Sequence, residues 1–307
     1  MKFESAQSAY EDTTSAMRFL YEKRFGRMIL KIATAPWISK TVGWFLNTPL
    51  SKPLIGRFIK NNGIDMSEYE LSADQFKCFN EFFYRRIRSD ARPVAQGDWM
   101  SSVFPLVSPA DSRLSAYPIA EDSVFTVKNT KYSLTSLLRN EQLANEFIGG
   151  TCLIFRLTVK DYHRYTVPDN CTVSSDGYHL IPGRLHTVNP IANCHVRTFI
   201  ENSREYAVLH TEHFGDVIQM EVGALMVGKI VNERNDENND ENSGENGSEN
   251  SSALGFKAGQ EKGHFEFGGS TIILLLKENA AAFDKRLFEL SAEEKEIHVN
   301  YGEKINI

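Results

Sequence analysis

Phe267-Gly268-Gly269-Ser270-Thr271-Ile272-Ile273-Leu274-Leu275-Leu276 joins a glycine pair to an unbroken apolar run. The run predicts a core strand over 271–276, and the glycines ahead of it predict a tight turn or bulge at its entrance. The same tetrapeptide has a second, chemical reading. Ser270 puts a hydroxyl beside the carbonyl of the side-chain-free Gly269. That is what an N-to-O acyl shift requires: Oγ attacks the carbonyl, an ester replaces the peptide bond, and elimination of the ester leaves a ketone in place of Ser270.

Upstream, from about residue 103, short apolar segments at 124–127, 152–157 and 217–222 are broken by Gly and Pro, with a helical-looking stretch at 134–147. This pattern predicts mainly antiparallel β structure. The N-terminal part reads differently. Met17, Leu20, Tyr21, Phe25, Met28, Ile29 and Ile32 recur at three- and four-residue intervals with Arg18, Lys23, Arg24, Arg27 and Lys31 between them. They predict an amphipathic basic helix, suited either to a membrane interface, with Trp37, Trp44 and Phe45 at the same boundary, or to packing on its own domain. Ser72 and Gln75 fit a capping box, Leu71 and Phe76 a hydrophobic staple, and Phe79, Phe82, Phe83 and Ile87 continue an apolar face toward Pro93. The expectation is an α+β protein: a helical, amphipathic N-terminal region over 1–95, then a mainly antiparallel β catalytic domain over 96–307.

At 307 residues and 41% apolar content, the chain can bury a substantial core. Its net charge of −6 is segregated: residues 1–62 hold ten Lys or Arg against four acids, whereas 233–250 hold seven acids against one Arg. The first segment could face anionic lipid, and no nucleic-acid partner is expected. Residues 232–253, nearly all Asn, Glu, Asp, Ser and Gly, predict a disordered insertion. Cys78, Cys152, Cys171 and Cys194 form no Cys-x-x-Cys pair and the histidines lack zinc-ligand spacing, so no metal is expected. The cysteines suggest free thiols in a reducing compartment, and no apolar stretch approaches the ~18 residues needed to span a bilayer.

Two further motifs carry chemistry, Ser108-Pro109-Ala110-Asp111 and Asp161-Tyr162-His163-Arg164-Tyr165. A carboxylate behind an imidazole fixes its tautomer, and the imidazole relays a serine proton, whatever their separation in sequence. Each motif alone also reads blandly, the first as an Asx turn or helix cap and the second as a polar strand end. Together with the Gly-Ser pair, and in this order, they resemble the phosphatidylserine decarboxylase proenzymes. Phe79-Asn80-Glu81-Phe82-Phe83, Arg92-Pro93, Gly149-Gly150-Thr151-Cys152-Leu153, Val188-Asn189-Pro190-Ile191-Ala192, Glu221-Val222-Gly223-Ala224 and Lys262-Gly263 extend the resemblance over most of 76–276.

The resemblance implies that the chain is cut between Gly269 and Ser270, that Ser270 becomes a pyruvoyl group, and that Asp111 belongs to a Ser/His/Asp-like cleavage triad. It implies a large chain 1–269 bound to a small chain 270–307, and a phospholipid substrate at a membrane surface, with a homodimer allowed. Phosphatidylserine would become phosphatidylethanolamine through a Schiff base on the pyruvoyl, with His163 assisting decarboxylation or protonation, in a protein peripheral to the cytoplasmic side of the membrane. One position departs: where the family usually reads Tyr-His-Arg-x-His, with the second His as cleavage base, Thr166 stands here. Threonine cannot be that base. Either His163 takes both roles, or another histidine, with His210, His213 and His264 as candidates, replaces the lost one, or maturation is slow or absent. Two alternatives follow, a pyruvoyl decarboxylase of a soluble amino acid and an unprocessed, non-enzymatic membrane-binding paralogue.

Overall fold

The computed structural model describes residues 1, 3–34, 36–97, 104–127, 130–193, 195–224, 229–234, 254–268 and 270–307. In chain order the strands are β1 (Gln7–Ser8), β2 (Ser112–Pro118), β3 (Val124–Val127), β4 (Thr130–Ser133), β5 (Thr151–Leu157), β6 (Arg164–Thr166), β7 (Cys171–Val173) and β8 (His179–Ile181). They continue with β9 (Arg204–Thr211), β10 (Gly215–Val222), β11 (Ile230–Asn232), β12 (Gly255–Phe256), β13 (Glu261–Phe265), β14 (Ser270–Leu276) and β15 (Lys295–Val299). The main sheet runs β1-β15-β2-β5-β14-β10-β9-β7-β12, with β8 also on β9, while β11-β13-β6 form a smaller sheet and β3-β4 a hairpin. The strand pairings are antiparallel. The fold is therefore α+β with mainly antiparallel sheet, as the sequence predicts.

The apolar run at 271–276 lies deep in this sheet. β14 pairs with β5 from Ser270↔Leu157 to Leu276↔Thr151, and with β10 from Thr271↔Val222 to Leu276↔Val217. Alternate side chains enter opposite cores: Ile272 and Leu274 pack with Phe155, Tyr165 and Phe265, and Ile273 and Leu275 with Ile154, Ile218 and Met220. A strand covered on both faces has no solvent side, which is why polar alternation is missing. Each such buried Leu or Ile contributes roughly 1.5–3 kcal/mol of transfer free energy.

The N-terminal region is helical, but the stretch expected to be one helix is two, α1 (Ser15–Glu22) and α2 (Arg24–Ala33). Thr14 caps the first, and Lys23 is extended at its end. The break lets Gly26 pass so close to the end of α1 that a Cβ there would lie 2.0 Å from the Phe19 carbonyl oxygen. α3 (Pro36–Leu46) and α4 (Leu54–Asn62) follow. Among the described residues no helix is long and apolar enough to cross a membrane.

The helix expected from the Ser72/Gln75 capping box is also shorter. Gln75 Oε1 does accept the Ser72 amide at 2.8 Å, but on a turn, and α5 covers only Phe79–Phe83. Phe76, Phe79, Phe82 and Phe83 are all buried with Leu46 and Ile55. Surrounded on more than one side, these rings are served by a single turn of helix, which starts where Ser51 Oγ accepts the Phe79 amide. Residues 134–147 likewise divide into α6 (Leu134–Leu138) and α7 (Glu141–Asn145), separated by Arg139 at φ 52°. The short α8 (Pro190–Asn193) and α9 (Thr198–Glu201) precede β9, and α10 (Lys285–Ala292) packs beside β2 and β15.

The first residues of the insertion expected at 232–253 are ordered. Asn232 ends β11, buried and paired with Gly263, and Arg234 reaches Glu205 at 2.5 Å. Residues 235–253 lie outside the described residues. The N-terminus is tied to the sheet: β1 pairs with β15, Asp12 meets Arg156 at 3.4 Å, and the Thr13 hydroxyl donates to Asn189 Oδ1 at 2.9 Å.

Candidate active site

Ser270 is the first residue of β14, so its side chain shares the face of Ile272 and Leu274, toward the smaller sheet that carries Tyr165 and Phe265. Its hydroxyl is buried without a hydrogen-bond partner. A buried, unpaired hydroxyl costs on the order of 1–3 kcal/mol, so its persistence asks for a chemical reason. Gly268 stands two residues before it at φ 141°, a backbone region essentially closed to side-chain-bearing residues. Gly269, whose carbonyl the acyl shift needs, lies outside the described residues.

His163 is fully buried just before β6. Its Nδ1 lies 2.8 Å from the Asp161 carbonyl oxygen, and since a carbonyl only accepts, the ring proton sits on Nδ1. Nε2 is then a bare lone pair, buried and without a partner. Burial pushes the imidazole down to about 3, helped by the charge of Arg85 and opposed by the main chains of Asp161 and Gly268 beside the ring. Phe83 covers it with ring centroids 4.0 Å apart. The Asp161 side chain is itself occupied, accepting from the Thr158 amide at 2.7 Å and hydroxyl at 2.8 Å, and this clamps the loop that aims His163.

Thr166 is buried in β6 with its groups spent on main chain: its amide donates to Pro109 O at 2.9 Å and its hydroxyl to Gln260 O. The first contact brings the Ser108–Asp111 motif alongside the His163 motif. Asp111 is held elsewhere. Arg92 grips its two oxygens at 2.9–3.2 Å while also bonding Glu68, and the Tyr301 amide donates to it at 2.7 Å. Among the described residues its carboxylate bonds to Arg92 and Tyr301 rather than to an imidazole.

The other candidate histidines are engaged away from Ser270. His210 pairs with Asp216 at 2.7 Å; His213 pairs with Asp169 at 3.0 Å and stacks on Phe104 at 3.6 Å. His264 neighbours the core-facing Phe265 in β13, so it points to the opposite face, where it meets Tyr84 at 4.5 Å. Burial first, then Arg164 and Arg86, hold it down to about 4.

Sequence reasoning missed a buried ion pair, Lys262 Nζ to Glu221 Oε1 at 2.8 Å, with both side chains wholly covered. Asn232 bonds Lys262, and Tyr165 donates to Asn232. Burial raises Glu221 and lowers Lys262 toward their neutral forms, against their mutual attraction. The signal available was Gln219 and Glu221, two polar residues on one face of an otherwise apolar strand.

A chamber of about 380 Å³ opens beside the turn, with Thr158, Lys160, Thr187, Asn189, Phe267 and Gly268 on its wall. Arg156, also on that wall, is committed to Glu296 at 2.6 Å and to Asp12, whereas Lys160 is exposed. Neither this chamber nor a larger cavity of about 470 Å³ against Arg92 and Tyr301 has Ser270 or His163 on its wall, but the chamber touches Phe267 and Gly268 of the turn, which the larger cavity does not. The arrangement at the turn can activate a hydroxyl, exclude water from the imidazole and admit a small charged group.

The family model described as phosphatidylserine decarboxylase matches residues 79–306. The chain belongs to the phosphatidylserine decarboxylase family. It is 42% identical over 290 residues to phosphatidylserine decarboxylase proenzyme 2 of Clostridium acetobutylicum, covering 94% of this chain and 90% of that one. Against the phosphatidylserine decarboxylase proenzyme of Clostridium novyi it is 37% identical over 294 residues, covering 94% and 91%. The family model and these relatives span Ser270, His163 and Asp111, so the site lies inside the shared region.

Proposed function

We propose that the protein is a self-cleaving, pyruvoyl-dependent decarboxylase that converts phosphatidylserine to phosphatidylethanolamine at a membrane surface. One observation carries the reading: a buried Ser270 hydroxyl without a partner opens β14 just after Gly268, and the unpartnered Nε2 of His163 lies in the same buried region, with Gly268 main chain beside its ring. These residues fit the precursor of a pyruvoyl group, because they bring a buried hydroxyl, an imidazole and a glycine turn into one region.

In maturation, Nε2 of His163 takes the Ser270 Oγ proton as Oγ adds to the Gly269 carbonyl carbon. The imidazolium returns the proton to the departing amide nitrogen, and an ester remains. Loss of the Ser270 α-proton then breaks the Cβ–Oγ bond. This frees the Gly269 carboxylate and leaves a dehydroalanine, which water converts to the keto group with release of ammonia. His163 serves as the single base of this sequence, since Thr166 is bonded to main chain and the other candidate histidines are engaged elsewhere. Asp111 acts as an anchor of the Ser108–Asp111 turn, bound to Arg92 and Tyr301, while the turn itself meets β6 where the Thr166 amide donates to the Pro109 carbonyl.

The pyruvoyl group supplies a carbonyl that captures a primary amine and an electron sink for the pair released with carbon dioxide. The chamber at Gly268 admits the head group, Lys160 offers a cation to its negative charges, and His163 stands to return a proton to the carbon that loses carbon dioxide. Exposed Phe25, Met28, Trp37, Trp44 and Leu50, interspersed with Arg24, Arg27 and Lys31, support docking of α2 and α3 on anionic lipid.

Intact mass spectrometry tests the reading. Wild type should yield chains 1–269 and 270–307, with Ser270→Ala remaining one chain of 34.8 kDa and inactive. Active wild-type protein with Ser270 still joined to Gly269 would refute it.

A further inference from the structure

We infer that Asp12 is a built-in competitor of the substrate: its carboxylate holds the place on Arg156 that takes the phosphodiester of the head group. The inference rests on the decarboxylase reading above and deepens it by naming what the substrate must displace. Arg156 is buried and bears two carboxylates of unequal hold. Glu296, itself buried, is gripped through Nε at 3.0 Å and through Nη2 at 2.6 Å. Asp12 reaches Nη2 at 3.4 Å, and its side chain is 35% exposed. The first pair builds the site, and the second, longer and half in solvent, is the one an incoming anion can replace. Asp12 and Arg156 both line the chamber at Gly268, and among the described residues Asp12 is the only acid on its wall.

The Asp12 side chain can leave without its main chain moving. That main chain is pinned before it by the pairing of β1 with β15, and after it by the Thr13 hydroxyl on Asn189 Oδ1 and by Thr14 capping α1. A change of χ1 alone therefore frees Nη2. Arg156 is rooted near the chemistry. It pairs across the sheet with Thr271, the residue after the proposed keto group, and the two share a face with their Cβ atoms about 5 Å apart. The Thr271 hydroxyl is buried without a partner, so this face carries an unspent hydrogen-bonding group beside the guanidinium. In a serine head group one methylene and one ester oxygen join the amine-bearing carbon to the phosphorus, which keeps the phosphate close to the residue that captures the amine. The head-group carboxylate is the wrong anion for Arg156: it must surrender its electrons, and a guanidinium on it would stabilise the ground state more than the transition state. Asp12 and a phosphodiester each bring one negative charge, so their exchange keeps the balance of the chamber, whereas both together with Glu296 would crowd three anions around one cation.

The test is calorimetric binding of glycerophosphoethanolamine, which has the phosphodiester but no carboxylate, to the full-length Ser270→Ala chain, where neither processing nor imine formation intervenes. A part-exposed ion pair is worth a factor of about 1.4 to 5, so Asp12→Asn should tighten binding about two- to fivefold. Arg156→Gln/Glu296→Gln, which removes the buried carboxylate along with its cation, should weaken binding at least tenfold; Arg156→Lys serves if that variant fails to fold. L-serine, with a carboxylate but no phosphate, should bind the parent and Asp12→Asn alike. In processed enzyme acting on phosphatidylserine in mixed micelles, Asp12→Asn should lower KM by a similar factor and change kcat less. Glycerophosphoethanolamine binding that is undetectable in both chains or unchanged by Asp12→Asn, or a tightening confined to L-serine, would overturn the inference while leaving decarboxylation standing. No turnover of phosphatidylserine by protein whose pyruvoyl group is verified by mass would remove the decarboxylase reading, and the calorimetry would still decide the exchange.

Discussion

Newly made precursor should mature at nearly the same rate at pH 5 as at pH 7.5. His163 is buried with its imidazole at about 3, so at pH 5 roughly 99% of it is still the neutral base that the acyl shift needs. An imidazole at the ordinary value of 6.5 would be about 3% neutral at pH 5, and maturation would slow about 30-fold. The same shift acts on stability with a definite sign. Between pH 6.5 and 3 the unfolded chain binds a proton at His163 that the native chain does not, so stability falls as pH falls through this window. At pH 5 the loss is about 2 kcal/mol, small enough to leave the precursor folded. The assay is cell-free synthesis followed by transfer to buffers from pH 5 to 8 and timed appearance of the 270–307 fragment, alongside thermal melts of Ser270→Ala. A flat maturation rate with a falling melting temperature is expected. Maturation slowing tenfold per pH unit below 6.5 would refute the assignment of His163 as the base.

Two substitutions probe its surroundings. Thr166→Val keeps the shape and removes a hydroxyl whose bond goes to the Gln260 carbonyl; it should cost about 1 kcal/mol and leave maturation within twofold, whereas a tenfold slowing would give the hydroxyl a chemical part. Lys262→Met strands Glu221 as a buried unpaired carboxylate and should lose about 3–5 kcal/mol by urea denaturation of unprocessed protein, with most of it recovered in the Lys262→Met/Glu221→Gln double variant. A single variant as stable as its parent would mean that the pair is not closed in solution.

What could be read from the residues was local. The strands at 152–157 and 217–222 were legible because apolar runs bounded by Gly are short-range signals, and their observed limits differ by one or two residues. The helix from Ser72 failed because the phenylalanines answer to Leu46, Ile55 and Ser51, which are distant in sequence. The three chemical motifs were visible as letters. Their state was not: whether an imidazole is neutral depends on Phe83 and Arg85, and where Asp111 spends its charge depends on Arg92 and Tyr301. Lys262 and Glu221 are 41 residues apart, and only the stacking of the smaller sheet on β10 brings them together.

The place of β14 in the sheet gives the proposed cut a lasting cost. The 38 residues from Ser270 onward supply both the strand between β5 and β10 and, three places along, the strand between β1 and β2, so the two pieces would be interleaved rather than docked. Once heated apart they would have to meet again as separate molecules, and the new terminus has no route back to serine. Assembly would be a single event in the life of each molecule, and endurance would be governed by how slowly the mature enzyme opens.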